Sequence, residues 1–300
     1  MTISRRHFLK TTTAASAAAL SGSILPACAE TTKSVNPRFQ ISLAQWSLHR
    51  ALRKGDLTNL DFPKYTKDKF GIHAVEYVNA FFKKHAKDQA YLKDLKSRTD
   101  SEGIRNVLIM CDGEGALGAK TEQARAKTVD NHKKWVEAAK FLGCHSIRVN
   151  AGGPGSREEL AKQVTGGLQS LSAFAKDFNI NVIVENHGGL SSDGAWLSGV
   201  LKGINMPNCG ALPDFGNFHK YDRYQGITDL MPYAKGVSAK SHDFDDKGNE
   251  TGTDFLKAMK IVAATKYKGY VGVEYEGGKL SEDDGIIATK KLLERVFKQL

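Results

Sequence analysis

Four apolar runs in this chain end on a side chain that can bind a metal or move a proton. They close on Glu185 in Val184-Glu185-Asn186-His187-Gly188-Gly189, on Asp214 in Leu212-Pro213-Asp214-Phe215, on His242 in Ser241-His242-Asp243, and on Glu274 in Val273-Glu274-Tyr275-Glu276. A carboxylate at the end of a buried segment costs several kcal/mol or more unless a cation meets it. Singly, each has an ordinary explanation: an aspartate after a strand caps a turn or helix, and a strand-end histidine is a satisfied polar group. As a set they are harder to dismiss, because three clustered carboxylates repel one another unless a cation neutralises them. Oxygen-rich ligation with one imidazole suits an octahedral divalent ion, with Mn²⁺ the first expectation and Mg²⁺ and Co²⁺ behind it, better than a structural zinc; Zn²⁺ remains open as a catalytic ion. The expected metal ligands are Glu185, Asp214, His242 and Glu274.

Such a set works only if the fold brings the four run ends together. Short apolar runs recur at 41–48, 74–78, 104–110, 146–150, 181–185, 209–215, 236–241 and 270–275, each followed by a loop and a segment of helical character. Helices are predicted over 121–142, 156–178, 253–265 and 283–300, and Ser156-Arg157-Glu158-Glu159 reads as a capping box. Eight uniformly apolar strands alternating with helices predict a parallel sheet covered by helices, and eight is the number that closes a (β/α)8 TIM barrel. The alternative, an open doubly wound sheet, lacks its GxGxxG turn, because Ala151-Gly152-Gly153-Pro154-Gly155 has the glycines without the spacing.

Residues 1–30 read as an export signal and stand outside the fold. Ser4-Arg5-Arg6-His7-Phe8-Leu9-Lys10 is a twin-arginine signature followed by an alanine-rich run too short and too polar to span a membrane. Leu25-Pro26-Ala27-Cys28 offers a lipid-attachment box at Cys28, and Ala27-Cys28-Ala29 an ordinary cleavage site. Either way the expected destination is the periplasm, with a lipid on Cys28 the one membrane link. Residues 31–300 are expected to form a single barrel, free or as a homo-oligomer. Three of the +10 formal charges belong to Arg5, Arg6 and Lys10, and the remaining lysines are interleaved with acids, which excludes a concentrated nucleic-acid stripe. Cys111, Cys144 and Cys209 are widely spaced and give no disulfide framework.

The segments around Glu185, Asp214, Ser238 to Asp243 and Val271 to Gly277, with Ala44-Gln45-Trp46-Ser47-Leu48-His49 and Val75-Glu76-Tyr77-Val78-Asn79, resemble the sugar phosphate isomerase/epimerase family of xylose isomerase-like barrels over essentially all of 31–300. The resemblance implies the divalent-metal set named above and a small carbohydrate as substrate. It implies proton abstraction beside the carbonyl of a ketose or ketosugar, with an enediolate stabilised by the metal. By the same resemblance Glu185 and Glu274 flank the substrate as catalytic bases, while Lys240 and His187 polarise or protonate its oxygen. Lys240 is equally readable as an ion-pair partner of a ligand carboxylate. Trp46, His49, Glu76, Asn79 and Asn150 are expected to line the pocket, with Trp46 equally readable as barrel-core filling. Glu276 shares the facing of Glu274 and is the alternative ligand on the last strand; it and Asn217, which stands where the family often has histidine, are also expected to contact the substrate. Reprotonation gives an epimerase or isomerase, and loss of a β-substituent gives a lyase acting on 3-keto-glycosides. A non-catalytic sugar-binding barrel is the remaining alternative, and export argues against a phosphorylated substrate.

Overall fold

The computed structural model describes residues 38–300, so the expectations for the signal segment and Cys28 lie outside the described residues. Eight strands follow in order: β1 (Phe39–Ala44), β2 (Ala74–Val78), β3 (Arg105–Met110), β4 (Ser146–Asn150), β5 (Asn181–Glu185), β6 (Cys209–Leu212), β7 (Val237–Ser241) and β8 (Gly269–Tyr275). Between and after them run α1 (His49–Lys54), α2 (Phe62–Phe70), α3 (Gln89–Glu102), α4 (Glu122–Leu142), α5 (Arg157–Asp177), α6 (Gly194–Ile204), α7 (Arg223–Leu230), α8 (Phe255–Ala263) and α9 (Glu282–Phe297). Every pairing in the sheet is parallel, in the spatial order β6-β5-β4-β3-β2-β1-β8-β7. The ring closes between β6 and β7 through the bridges Ala211↔Ala234 and Asp214↔Ser238. This is the eight-stranded barrel that the alternating pattern predicts.

Each of the eight apolar runs overlaps a strand, β1 and β8 starting two and one residues before theirs, and the first run also contains a departure. The chain leaves β1 after Ala44 and enters a helical turn over Gln45–Leu48. The buried side chain of Gln45 takes over the ladder, its Oε1 accepting the backbone N–H of Val78 at 2.8 Å while its Nε2 donates to Asn59 at 2.8 Å. An amide side chain does here what the next backbone group would have done. The predicted capping box of α5 is present, with Ser156 accepting from the Glu159 N–H and Glu159 accepting from the Ser156 N–H.

Period-two alternation decides what the barrel encloses. One interior group is apolar: Ala44, Ala74, Val78, Val107, Leu108, Met110, Ile183 and Leu212 pack together, with Trp46, Phe81 and Tyr270 against them. The other is polar, with Ser42, Glu76, Arg148, Glu185, Asp214, Ser238, Lys240 and Glu274 all buried. Gly272 makes room for that second group, because a Cβ at this position would lie 2.8 Å from both carboxylate oxygens of Glu76. Glu76 is itself enclosed, so Gly272→Ala is expected to cost ~1–3 kcal/mol through overpacking. Urea unfolding reads this directly, and an unchanged midpoint would mean that Glu76 yields freely.

Candidate functional site

Glu185 ends β5, Asp214 follows β6 by two residues, and Glu274 is the sixth residue of β8. Ligand oxygens of these three lie within 4.8 Å of one another, and all three side chains are buried. The trio is close enough to hold a metal. Strand register explains the convergence: Lys240 stands opposite Glu274, Asp214 opposite Ser238, and Asn150 opposite Glu185.

Two buried cations already meet these acids. Lys240 Nζ is 3.1 Å from Glu274 Oε1, 3.1 Å from Glu276 Oε2 and 3.7 Å from Asp214 Oδ2. Arg148 Nε is 2.8 Å from Glu185 Oε2, and its NH1 donates to Asp112 Oδ1 at 2.7 Å. The Arg148–Glu185 contact is close but off-line, so it acts as an ion pair and leaves Glu185 Oε2 without a hydrogen-bond donor. The other oxygen, Oε1, accepts from Asn217 Nδ2 at 3.0 Å. Burial disfavours the charge on Lys240, but Glu274 and Asp214 outweigh it and push the ammonium's pKa up. Glu185 is therefore met by a guanidinium, and Lys240 stands in the ion pairs that its alternative reading named.

Asp214 and Glu274 share their surroundings unequally. Burial raises Asp214 well above the usual carboxylate range. For Glu274 burial pulls the same way, but Lys240, Arg148 and Ser238 together hold it below that range. Ser238 Oγ lies 3.0 Å from Asp214 Oδ2 and 2.9 Å from Glu274 Oε2. A hydroxyl has one proton to give, so Ser238 donates to one of these two oxygens and leaves the other without that donor. Asp214 Oδ1 meanwhile accepts the N–H groups of Gly216 and Asn217 at 2.7 and 3.1 Å.

The structure does not bring His242 to the trio. Its side chain is 50% exposed and its Nε2 lies 3.9 Å from Glu276 Oε2. The reason is register: β7 points Ser238 and Lys240 inward, and His242, two residues further on, stands beyond the strand at the rim. The four-ligand set expected for a divalent ion is thus three carboxylates without their imidazole, and an ammonium stands against two of them. These residues do not fit that centre.

The remaining expected residues divide by position. Asn150 Nδ2 donates to Asp112 Oδ1 at 2.7 Å, and Glu276 is partly exposed beside Lys240, so both belong to the mouth. His187 is exposed there, with its backbone N–H held by Ser191 Oγ at 3.0 Å. Trp46 is half-buried and stacks on His49 at 4.9 Å between ring centres, with Phe81 at 6.1 Å. Asn79 does a different job: its amide bonds the Asp112 carbonyl and N–H at 2.9 and 3.0 Å, fixing the loop after β3. Glu76 is fully enclosed, accepting from Ser42 Oγ at 2.6 Å while its other oxygen has no partner.

Burial, with Glu274 and Glu185 adding to it, raises Glu76 from an ordinary value near 4.5 to about 7. A carboxyl whose folded pKa is raised adds stability that is complete below its unfolded pKa and is lost as pH rises through the folded one. Glu76→Gln removes that dependence. The variant's stability relative to wild type is expected to climb by on the order of 2–3 kcal/mol between about pH 4.5 and 7 and then level off. Chemical denaturation across that range checks it, and parallel curves for the two proteins would contradict it.

Carboxylates gathered at the C-terminal ends of barrel strands define a (β/α)8 scaffold with its chemistry in the usual place for that fold. Residues 68–296 match the xylose isomerase-like TIM barrel family, and the chain belongs to it. Residues 2–22 match the signal sequence of the twin-arginine translocation pathway. No helix among the described residues is long and apolar enough to cross a membrane. Among solved structures, IOLI protein with a binding zinc atom aligns over 87% of this chain and 98% of its own at a TM-score of 0.70 and 17% identity. The 3-keto-D-glucoside 4-epimerase of E. coli aligns over 86% and 99% at 0.66 and 15% identity. By sequence, the C-glycoside deglycosidase alpha subunit of Arthrobacter globiformis is 36% identical over 66 residues, 21% of this chain and 19% of that protein. The match thus spans about a fifth of either chain.

Proposed function

We propose that this chain is an exported sugar-modifying enzyme, acting in the periplasm, that moves a proton beside the carbonyl of an unphosphorylated ketose or ketosugar. The observation that carries the reading is Glu185, a buried carboxylate at the end of a barrel strand whose Oε2 meets only the off-line Arg148 guanidinium and accepts no hydrogen bond. Abstracting a proton from carbon needs a base with a free lone pair held still in a water-poor site. Arg148 sets a positive charge 2.8 Å from Glu185 Oε2, and Asn217 fixes the carboxylate's rotation through Oε1.

Around this base the mouth has two characters that suit a sugar. Trp46 and Phe81 offer aromatic surface to the C–H face of a ring. Asn150, Asn217, Glu276 and His187 offer polar contacts to hydroxyl groups. Glu276, partly exposed beside the Lys240 ammonium, and His187 are the candidates to return a proton to the substrate. Glu274, fully buried behind Ser238 and Lys240, sets the field at the second side. Negative charge developing on the substrate's carbonyl oxygen would be met by the cations of Lys240 and Arg148.

The stretch shared with a deglycosidase subunit favours a second outcome of the same proton transfer, namely loss of a β-substituent from a 3-keto-glycoside. One experiment separates the two. The exported protein is incubated with a 3-keto-glucoside in D₂O and followed by NMR. Deuterium entering beside the carbonyl with a changed sugar marks an epimerase or isomerase, and release of the aglycone marks a lyase. A spectrum with neither, under conditions where the sugar binds, leaves a binding barrel and overturns the proposal.

A further inference from the structure

We infer that the ammonium of Lys240 is the resident cation of the Glu185–Asp214–Glu274 cluster and that, with the guanidinium of Arg148, it replaces a divalent metal ion there. The charge argument comes first. Three buried carboxylates cannot all be ionised within 4.8 Å of one another without compensation. The side chains of Lys240 and Arg148 between them reach every member of the trio.

Space gives the second argument. An ammonium has three N–H groups, and Lys240 Nζ has three carboxylates around it, those of Glu274, Glu276 and Asp214. A divalent ion would bind carboxylate oxygens at about 2.0–2.2 Å. Lys240 Nζ already lies 3.1 Å from Glu274 Oε1 and 3.7 Å from Asp214 Oδ2, so an ion on those oxygens would sit against a fixed positive charge.

The donor set is the third. The inward positions of β7 are Ser238 and Lys240, a hydroxyl that bridges two of the acids and a cation. Neither is an imidazole, and the histidine nearest in sequence stands half-exposed at the rim. The substitution is internally consistent: where a metal centre needs a neutral donor, β7 supplies a cation, and a second cation stands on β4 facing Glu185.

The test needs no substrate, so it is independent of the reaction proposed above. The exported protein is purified without added metal, its metal content is measured by plasma mass spectrometry, and Mn²⁺ and Zn²⁺ are titrated calorimetrically and by thermal shift. The wild type is expected to carry well under one equivalent and to show no saturable shift in melting temperature. The double variant Ser238→His/Lys240→Ala restores an imidazole and vacates the ammonium, and it is expected to bind Mn²⁺ or Zn²⁺ at least ~100-fold more tightly than wild type. Metal on the wild type that survives Asp214→Asn lies outside the cluster and leaves the inference standing. About one tightly bound divalent ion per wild-type chain, lost in Asp214→Asn, would overturn it. Should the double variant fail to fold, the wild-type titration still decides.

Discussion

Replacing Arg148 by methionine is expected to destabilise the protein by ~3–5 kcal/mol, the usual cost of stripping one partner from a buried ion pair. For a barrel of this size that corresponds to a fall in melting temperature of roughly 10 °C. The side chain is buried and holds two acids from different elements, Glu185 on β5 at 2.8 Å and Asp112 after β3 at 2.7 Å. Asp112 is kept below the usual carboxylate range although burial works against it, because the charge and hydrogen bond of Arg148 outweigh the burial. Without the guanidinium, Glu185 keeps only the Asn217 amide as a partner, and a buried carboxylate is left without a counter-charge. Arg148→Lys should rescue little, since one ammonium cannot reach both acids in the guanidinium's fork. The surface pair Arg157–Asp193 is the control: its 2.7 Å separation is as short, but Arg157 is 44% exposed, so Arg157→Met should cost no more than ~1 kcal/mol. Equal melting shifts for Arg148→Met and Arg157→Met would show that the interior pair contributes nothing special.

The reach of the sequence can be judged from the same residue. The barrel was legible because its signal is repeated: eight apolar runs, each followed by a helix, leave few topologies open. Glu185, Asp214 and Glu274 were legible because a carboxylate closing a buried run conflicts with its surroundings. Arg148 was missed although the signal was there. In Ser146-Ile147-Arg148-Val149-Asn150 the polar residues alternate, so that Arg148 shares the inward face with Asn150, two residues below the strand's end. The residue that ends a run covers whatever lies one pleat deeper on the same face. At β7, likewise, the facing positions at the height of Asp214 and Glu274 belong to Ser238 and Lys240, which lie below His242. The loop-anchoring role of Asn79 was not legible. Its partners are backbone groups of Asp112, over thirty residues away, and nothing local in the sequence announces them.

Glu185→Gln carries the largest expected effect on activity, a fall in kcat of ~10²–10⁴, because the amide has no lone pair basic enough to take a proton from carbon. The substitution is nearly isosteric, and its carbonyl oxygen can still accept from Asn217 Nδ2. Arg148 loses one counter-charge but retains Asp112, so the stability cost should stay nearer ~1–3 kcal/mol than the full price of an orphaned charge. The diagnostic is the contrast between the two readouts: turnover lost by orders of magnitude while the melting temperature moves by a few degrees. Glu276→Gln should behave differently. Glu276 is partly exposed and shares Lys240 with two other acids, so its loss should raise KM more than it lowers kcat if it contacts the sugar's hydroxyls. Turnover that survives in Glu185→Gln and fails in Glu276→Gln would move the base to the rim of the barrel, where a group beside the ammonium could reach substrate without the trio taking part. In that case the buried acids and their two cations would be the keel of the barrel, and the chemistry would belong to the loops above it.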